Sequence, residues 1–339
     1  MTIFNVMFVK AVTLLAMIGA AGAARAGTVA SEPAALTVAT SEPPASTEPT
    51  TILPRYSLPW QLRPVTTGSV ARIETAAAVF NDGQGNLDIA VPTVFAANYQ
   101  LTEHWAPLIK LGFVSNNAPG AALDGTAFAN PMLGATYARA LGIYRLALFG
   151  ATTIPIGSGG GDAPNLRAAE TNAASVTARP ADAPMFAVNY MTALAGADLA
   201  YVGHGFTVQA EMTVLQSIRV HGGHSGGATD AFRTQAAVGL HLGYFIGSHF
   251  SLGSEFHHRR WLSHPTNGGV GASARVTFPD AGTNTTTVAV GPRVHFRLGQ
   301  YGWIRPGISL VRGLDARGFD APLIGSQTTA VQLDVPVTF

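Results

Sequence analysis

The last nine residues, Val331-Gln332-Leu333-Asp334-Val335-Pro336-Val337-Thr338-Phe339, carry the reading from which the rest follows. In an extended strand successive side chains point to opposite faces. Val331, Leu333, Val335, Val337 and Phe339 therefore share one face, and Gln332, Asp334, Pro336 and Thr338 share the other. Residues 286–298 repeat the pattern, with Val288, Val290, Pro292, Val294, Phe296 and Leu298 set against Thr287, Ala289, Gly291, Arg293, His295 and Arg297. An apolar face opposite a polar one over about ten residues suits a strand between lipid and an aqueous lumen. A soluble sandwich shows the same alternation, so the connections must separate the two.

Working back from the C-terminus, twelve strands are expected, at 70–80, 87–100, 105–116, 129–140, 143–154, 186–201, 205–219, 231–245, 249–262, 286–298, 301–313 and 326–339. The links at 101–104, 141–142, 202–204, 246–248 and 299–300 are short. Those at 81–86, 117–128, 155–185, 220–230, 263–285 and 314–325 are longer. Strict short–long alternation, with both barrel termini on the short-turn side, is the layout of an outer-membrane barrel with tight periplasmic turns and long external loops. A sandwich has no reason to sort its loops in this way. An even strand count closes an antiparallel barrel and leaves no unpaired edge. The expected fold is all-β, an antiparallel up-and-down transmembrane barrel of about 12 strands spanning residues 65–339.

Composition agrees. Of 339 residues only 12% are charged, against about 25% in ordinary soluble domains. The net charge of +1 gives no basic footprint for nucleic acid. Zero cysteine removes thiolate metal sites, disulfides, cysteine nucleophiles and a lipoprotein anchor together. At the N-terminus Lys10 precedes an apolar run from Ala11 to Ala24, closed by Ala24-Arg25-Ala26. That is an export signal over residues 1–26, with Gly27 as the first mature residue; the alternative is an N-terminal membrane anchor. Residues 27–64, with Glu32-Pro33, Glu42-Pro43-Pro44 and Glu48-Pro49, read as a Pro/Ser/Thr-rich linker too poor in large apolar side chains to pack.

An export signal, no cysteine, alternating strands and a terminal Phe339 together resemble Gram-negative outer-membrane β-barrels. In that class the alternating apolar residues before a C-terminal aromatic are read by the barrel-assembly machinery; the resemblance gives Val335, Val337 and Phe339 that role, with outer-membrane lipid as the surroundings. The layout is also similar to barrels of the phenol meta-degradation type, and no substrate is carried over from it.

On the more polar parity of each strand the expected inward positions are Arg72, Glu74, Asp88, Lys110, Arg145, Glu211, Arg219, Arg233, His241, Glu255, His257, Arg259, Arg293, His295, Arg297, Arg305 and Asp334. A Lys or Arg facing lipid at midplane costs about 2–4 kcal/mol, so these side chains belong inside. Small inward residues (Ala237, Gly239, Gly243, Gly253, Ala289, Gly291 and Gly307) leave room for a pore. Arg293, His295, Arg297 and Arg305 are expected to form a basic ladder favouring anions. The functional reading is a passive channel for small-molecule solutes, without cofactor or metal. A lumen filled by paired side chains is the alternative, giving a structural or adhesive barrel.

A third possibility is an envelope hydrolase built on Glu255, His257 and Arg259 with Ser251 or Ser254, which needs nucleophile, base and orienting group in mutual reach. No signature fixes them, so no catalytic residue is assigned. His221-Gly222-Gly223-His224, with Asp230 and His264, is a weak metal candidate on a pliant loop. Gly157-Ser158-Gly159-Gly160-Gly161-Asp162 lacks the Lys-Ser/Thr ending of a phosphate loop and reads as flexible loop. Asn284-Thr285-Thr286 matches a glycosylation sequon of little weight here.

Overall fold

The computed structural model describes residues 56–81, 87–117, 125–161, 165, 168, 171–172, 175–176, 178–221, 232–263, 285–299, 302–314 and 329–339. The expected export signal and its expected cleavage point, residues 27–55, the loop residues His224, Asp230 and His264, Asp162, Asn284 and the side chain of Asp88 lie outside them.

The strands are β1 (Val70–Asn81), β2 (Leu87–Asn98), β3 (Trp105–Asn117), β4 (Gly125–Phe128), β5 (Met132–Leu141), β6 (Tyr144–Thr153), β7 (Tyr190–Gly203), β8 (Phe206–Arg219), β9 (Phe232–Ile246), β10 (Phe250–Trp261), β11 (Thr285–Val294), β12 (Phe296–Leu298), β13 (Gly302–Ile304), β14 (Gly307–Gly313) and β15 (Thr329–Thr338). All pairings are antiparallel; they follow chain order except that β3 pairs β5 as well as β4, β11 pairs β14 and β13 pairs β15, and β1 closes onto β15 from Val70↔Thr338 to Val79↔Thr329. β11 and β12 make one stave, as do β13 and β14, so the described residues form a closed up-and-down barrel of 12 staves. The first of these breaks falls at His295 and the second at Arg305-Pro306, where proline has no N–H for the ladder. β4 is a short extra strand against β3 at the long-loop end, absent from the sequence reading.

The alternation of short and long connections holds from β3 onward; at the start of the barrel the β2–β3 link (99–104) is no shorter than the β1–β2 link (82–86), because β2 ends at Asn98 rather than at residue 100. Gly142, Gly205, Gly247 and Gly299 each take positive φ in a short turn, a conformation glycine adopts without a Cβ clash. The packing is inverted relative to a soluble protein. On β8, Thr207, Gln209, Glu211 and Thr213 are buried while Phe206, Val208, Met212 and Val214 are exposed. Each such apolar side chain left in water forgoes about 1.5–3 kcal/mol; facing lipid, it forgoes nothing. Exposed Tyr99, Trp105, Tyr144, Phe206, Tyr244, Phe250, Phe296 and Phe339 ring the short-turn end. Trp105 and Tyr137 centroids lie 5.3 Å apart, and Phe206 and Tyr244 4.5 Å apart. This is the aromatic girdle of a barrel at a membrane interface.

Two inserts occupy the interior. Residues 56–68, immediately before β1, run inside the barrel. Tyr56, Leu58, Trp60, Leu62 and Val65 are all at most 5% exposed. The β6–β7 connection enters from the opposite end, with a 3₁₀ turn (Pro180–Asp182) and a one-turn helix, α1 (Ala183–Phe186). Its Met185 and Phe186 pack with Val94, Val114, Phe149, Leu194 and Leu215 of the wall. The linker expected over 27–64 is thus corrected at its end: residues 56–64 are a packed plug. Leu58, Trp60 and Leu62 supply the apolar side chains that the preceding stretch lacks.

Candidate functional site: the barrel lumen

The plug is held mainly through its backbone, by side chains from several walls. Glu255 on β10 accepts the main-chain N–H groups of Trp60, Gln61 and Leu62 at 2.7, 2.9 and 3.1 Å. Glu211 on β8 accepts the Arg63 N–H at 2.8 Å and pairs with the Arg63 guanidinium at 2.6 Å. Thr207 accepts from Ser57 N–H at 3.0 Å, and Gln209 donates to the Arg63 carbonyl at 2.7 Å. From the opposite wall Arg72 donates to the carbonyls of Pro59 and Trp60 at 2.9 and 2.6 Å, and Arg305 to that of Tyr56 at 3.1 Å. The Tyr56 hydroxyl bonds Gln209 and receives the Val65 N–H at 3.0 Å, so the segment rises from the short-turn end and folds back. Thr67 then donates to the carbonyl of Glu103 in a short turn.

The small inward residues cradle this plug. A Cβ on Gly239 would lie 2.3 Å from Leu62, one on Gly243 2.3 Å from Ser57 Oγ, and one on Gly307 2.6 Å from the Trp60 ring. They read from sequence as room for a pore; that room is filled by the chain's own residues. Arg293 stacks 4.3 Å over the Trp60 ring.

A chain of buried ion pairs ties plug, wall and loop together. Arg293 pairs with Asp334 at 2.5 Å, and Asp334 with Arg72 at 2.7 Å. Arg72 pairs with Glu74 at 2.5 Å, and Glu74 with Arg179 of the β6–β7 connection. Arg179 pairs with Asp182 at 2.5 Å, and Asp182 with Lys110 at 2.8 Å. Burial opposes charge on Asp182, but Lys110 and Arg179 outweigh it and hold that carboxyl below the usual carboxylate range. The expected basic ladder is corrected: Arg293 is one member of an alternating series, because a desolvated charge is tolerated only when paired.

The structure places Glu211, His241, Glu255, His257, Arg259, Arg293, His295, Arg305 and Asp334 buried on the inner face, with Lys110 and Arg145 half-buried there. Arg145 lies 5.3 Å over the Tyr56 ring. Arg297 departs from the expectation: on β12, beyond the break at His295, it is exposed at the short-turn rim. Val337 is covered between β1 and β13, while Phe339 is exposed with its N–H bonded to Ser69. Gly157 and Gly161, expected in flexible loop, donate their N–H groups to Asn130 and Asn189 at 2.8 and 2.9 Å.

Sequence reasoning missed Tyr56, Ser57, Trp60, Gln61, Arg63, Arg179 and Asp182 as lumen residues. The one signal available was the apolar run Leu58, Trp60, Leu62 at the linker's end, at period two. Ser57, His241 and Glu255 stand in serine–histidine–acid order, with Ser57 Oγ 3.3 Å from His241 Nε2 and His241 Nδ1 3.8 Å from Glu255. The second link exceeds hydrogen-bond length, both Glu255 oxygens are occupied by the plug backbone, and Ser57 is 2% exposed. Nothing in that arrangement admits a substrate to the hydroxyl.

At the short-turn end a cavity of about 350 Å³ opens beside Val65, Thr67, Glu103, His104 and Arg145. A separate void of about 30 Å³ lies beside Thr136, Lys110 and Gln61.

A closed antiparallel barrel with an apolar outside, an aromatic girdle and a charged inside is the architecture of an outer-membrane β-barrel. No protein-family model matches the chain, and no curated protein matches it. Among solved structures it is similar to an outer-membrane channel from Pseudomonas putida F1 (14% identity, 83% of this chain and 98% of that one, TM-score 0.49). It is also similar to the NanC porin (9% identity, 79% and 98%, TM-score 0.45) and to the KdgM porin in complex with disordered oligogalacturonate (6% identity, 80% and 99%, TM-score 0.42).

Proposed function

We propose that this protein is a passive outer-membrane channel for small solutes, and that the plugged barrel is its closed state. The observation that supports the reading is the way the plug is attached. Residues 56–68 make no strand pairing, so their withdrawal breaks no barrel ladder. They are gripped by a few polar side chains and seated against glycines, and withdrawal leaves a polar passage along β8, β10 and β14. A barrel of about eight strands is filled by wall side chains alone, whereas 16–18 leave a channel; twelve lies between, and here a separate insert occupies the interior. The β6–β7 insert forms a second barrier nearer the long-loop end.

Planar-bilayer conductance tests this. Deleting residues 56–64 is expected to raise conductance over the wild type, and adding Arg179→Ala with Asp182→Ala to raise it further. Variants that assemble as heat-modifiable barrels yet pass no current above bare lipid would overturn the channel reading in favour of a structural, permanently plugged barrel.

A further inference from the structure

The wall that holds the plug reads its main chain more than its side chains. Glu255 and Glu211 accept four successive N–H groups, those of Trp60, Gln61, Leu62 and Arg63. Arg305, Arg72 and Gln332 donate to the carbonyls of Tyr56, Pro59 and Trp60. In the middle of the segment no side chain is recognised through a hydrogen bond. Trp60 Nε1 and both polar atoms of the Gln61 amide are buried without a partner, and Leu58, Pro59 and Leu62 have no side-chain polar group to offer. Residues 58–62 are therefore held by their backbone and by shape, with Gly239 facing Leu62 and Gly307 facing the Trp60 ring. The polar groups of the wall are also sorted. A carboxylate only accepts and a guanidinium only donates. The two carboxylates stand on β8 and β10, and the donors Arg72 and Gln332 on β1 and β15. A polypeptide supplies N–H and C=O as separate groups to two such sides, whereas a sugar hydroxyl combines both roles in one atom.

We propose that the lumen is a binding site for extended oligopeptides, which the chain's own plug occupies. The proposal rests on the reading that the plug withdraws. No contact of the plug is a strand pairing, so the wall side chains keep their places on the barrel when it leaves. A carboxylate stripped of its N–H donors in a confined lumen favours a solute that restores them, and another stretch of main chain does so. The plug is also an imperfect occupant, because a buried amide without partners is destabilising. A peptide with an apolar side chain at the place of Gln61 fits the same wall better than the plug does.

The probe is a fluorescein-tagged octapeptide with the sequence of residues 56–63, and the receptor is the mature chain lacking residues 56–64. Anisotropy is expected to show saturable binding, severalfold tighter with Gln61→Leu in the peptide. Methylating the peptide nitrogens of Gln61 and Leu62 removes two hydrogen bonds to a carboxylate and is expected to weaken binding at least tenfold. Maltoheptaose, of similar length, is not expected to compete. Absence of binding, equal binding of the methylated peptide, or competition by the sugar overturns the proposal. Binding is read without current. A shortened barrel that binds and does not conduct keeps the site and defeats the channel reading; one that conducts and does not bind does the reverse. Where the shortened chain does not assemble, the intact protein carries the test. The chain has no cysteine, so Ser57→Cys, at a position only 2% exposed, is a clean reporter of plug withdrawal through maleimide labelling. A peptide that binds only the vacated lumen raises the withdrawn population by one plus the ratio of its concentration to its Kd, so at ten times Kd labelling is expected to accelerate about tenfold. The methylated peptide is expected to leave the rate unchanged. No acceleration by the unmethylated peptide overturns the proposal.

Discussion

Glu255 shows how one side chain fixes a tertiary arrangement. It sits on a strand whose inward parity alone puts it in the lumen, and there its two oxygens gather three successive backbone N–H groups. Hydrogen bonds to charged groups contribute about 1.5–3 kcal/mol each, so Glu255→Ala removes the largest single hold on the plug tip. Labelling of Ser57→Cys is expected to rise at least tenfold in that background, while the barrel still assembles. Rates equal to those of the Glu255 parent would mean that the plug is held elsewhere. The glycines give a sharper contrast. A Cβ on Gly239 meets only the end of the Leu62 side chain, whereas one on Gly291 falls 1.9 Å from the Ile308 carbonyl oxygen, which is backbone. Gly239→Ala is therefore expected to loosen the plug tip and leave assembly intact, and Gly291→Ala to reduce assembled, heat-modifiable protein. Reversal of that order would refute the cradle.

Among the elements, the β6–β7 connection has its own latch. Asp182 faces Lys110 from β3 and Arg179 from its own connection, and those two cations depress its carboxyl despite burial. A depressed folded value means that the stabilisation is fully present above the unfolded value of about 3.9, and is lost only as pH falls through the lower, folded one. Proteolytic accessibility of this connection is thus expected to be the same at pH 7 and pH 5, with release confined to stronger acid. In Asp182→Asn, accessibility is expected to rise at pH 7 as well. Opening of the wild type between pH 7 and 5 would count against the latch. The strands that carry this latch were readable from sequence because lipid on one side and a polar interior on the other impose a period of two. The inserts were not, because a segment that packs inside a barrel answers to whatever wall surrounds it, and the short alternation of Leu58, Trp60 and Leu62 does not say what covers them. Arg297 shows the limit of parity: correct alternation placed it inward, but the break at His295 and its position at the rim leave it exposed.

For the whole molecule, closure is the decisive event. β15 pairs with β1 over ten registered positions, and Phe339 adds an N–H bond to Ser69 beyond the last rung. Deleting Phe339 is expected to reduce assembled, heat-modifiable barrel in the outer membrane while export continues. Wild-type levels of assembled protein would remove Phe339 from the assembly signal. Alternation, turn lengths and the terminal aromatic were enough to specify an even-stranded antiparallel barrel and to turn most of the charged residues of its strands inward, though not Arg297 at the rim, since each of those is set by local geometry and by the solvent on either side of a strand. Whether the interior is open was beyond their reach. Gly239, Gly243 and Gly307 look the same whether they border water or receive Leu62, Ser57 and Trp60. Only the folded arrangement, which brings residues nearly two hundred positions apart within hydrogen-bonding distance, decides that the lumen holds a plug.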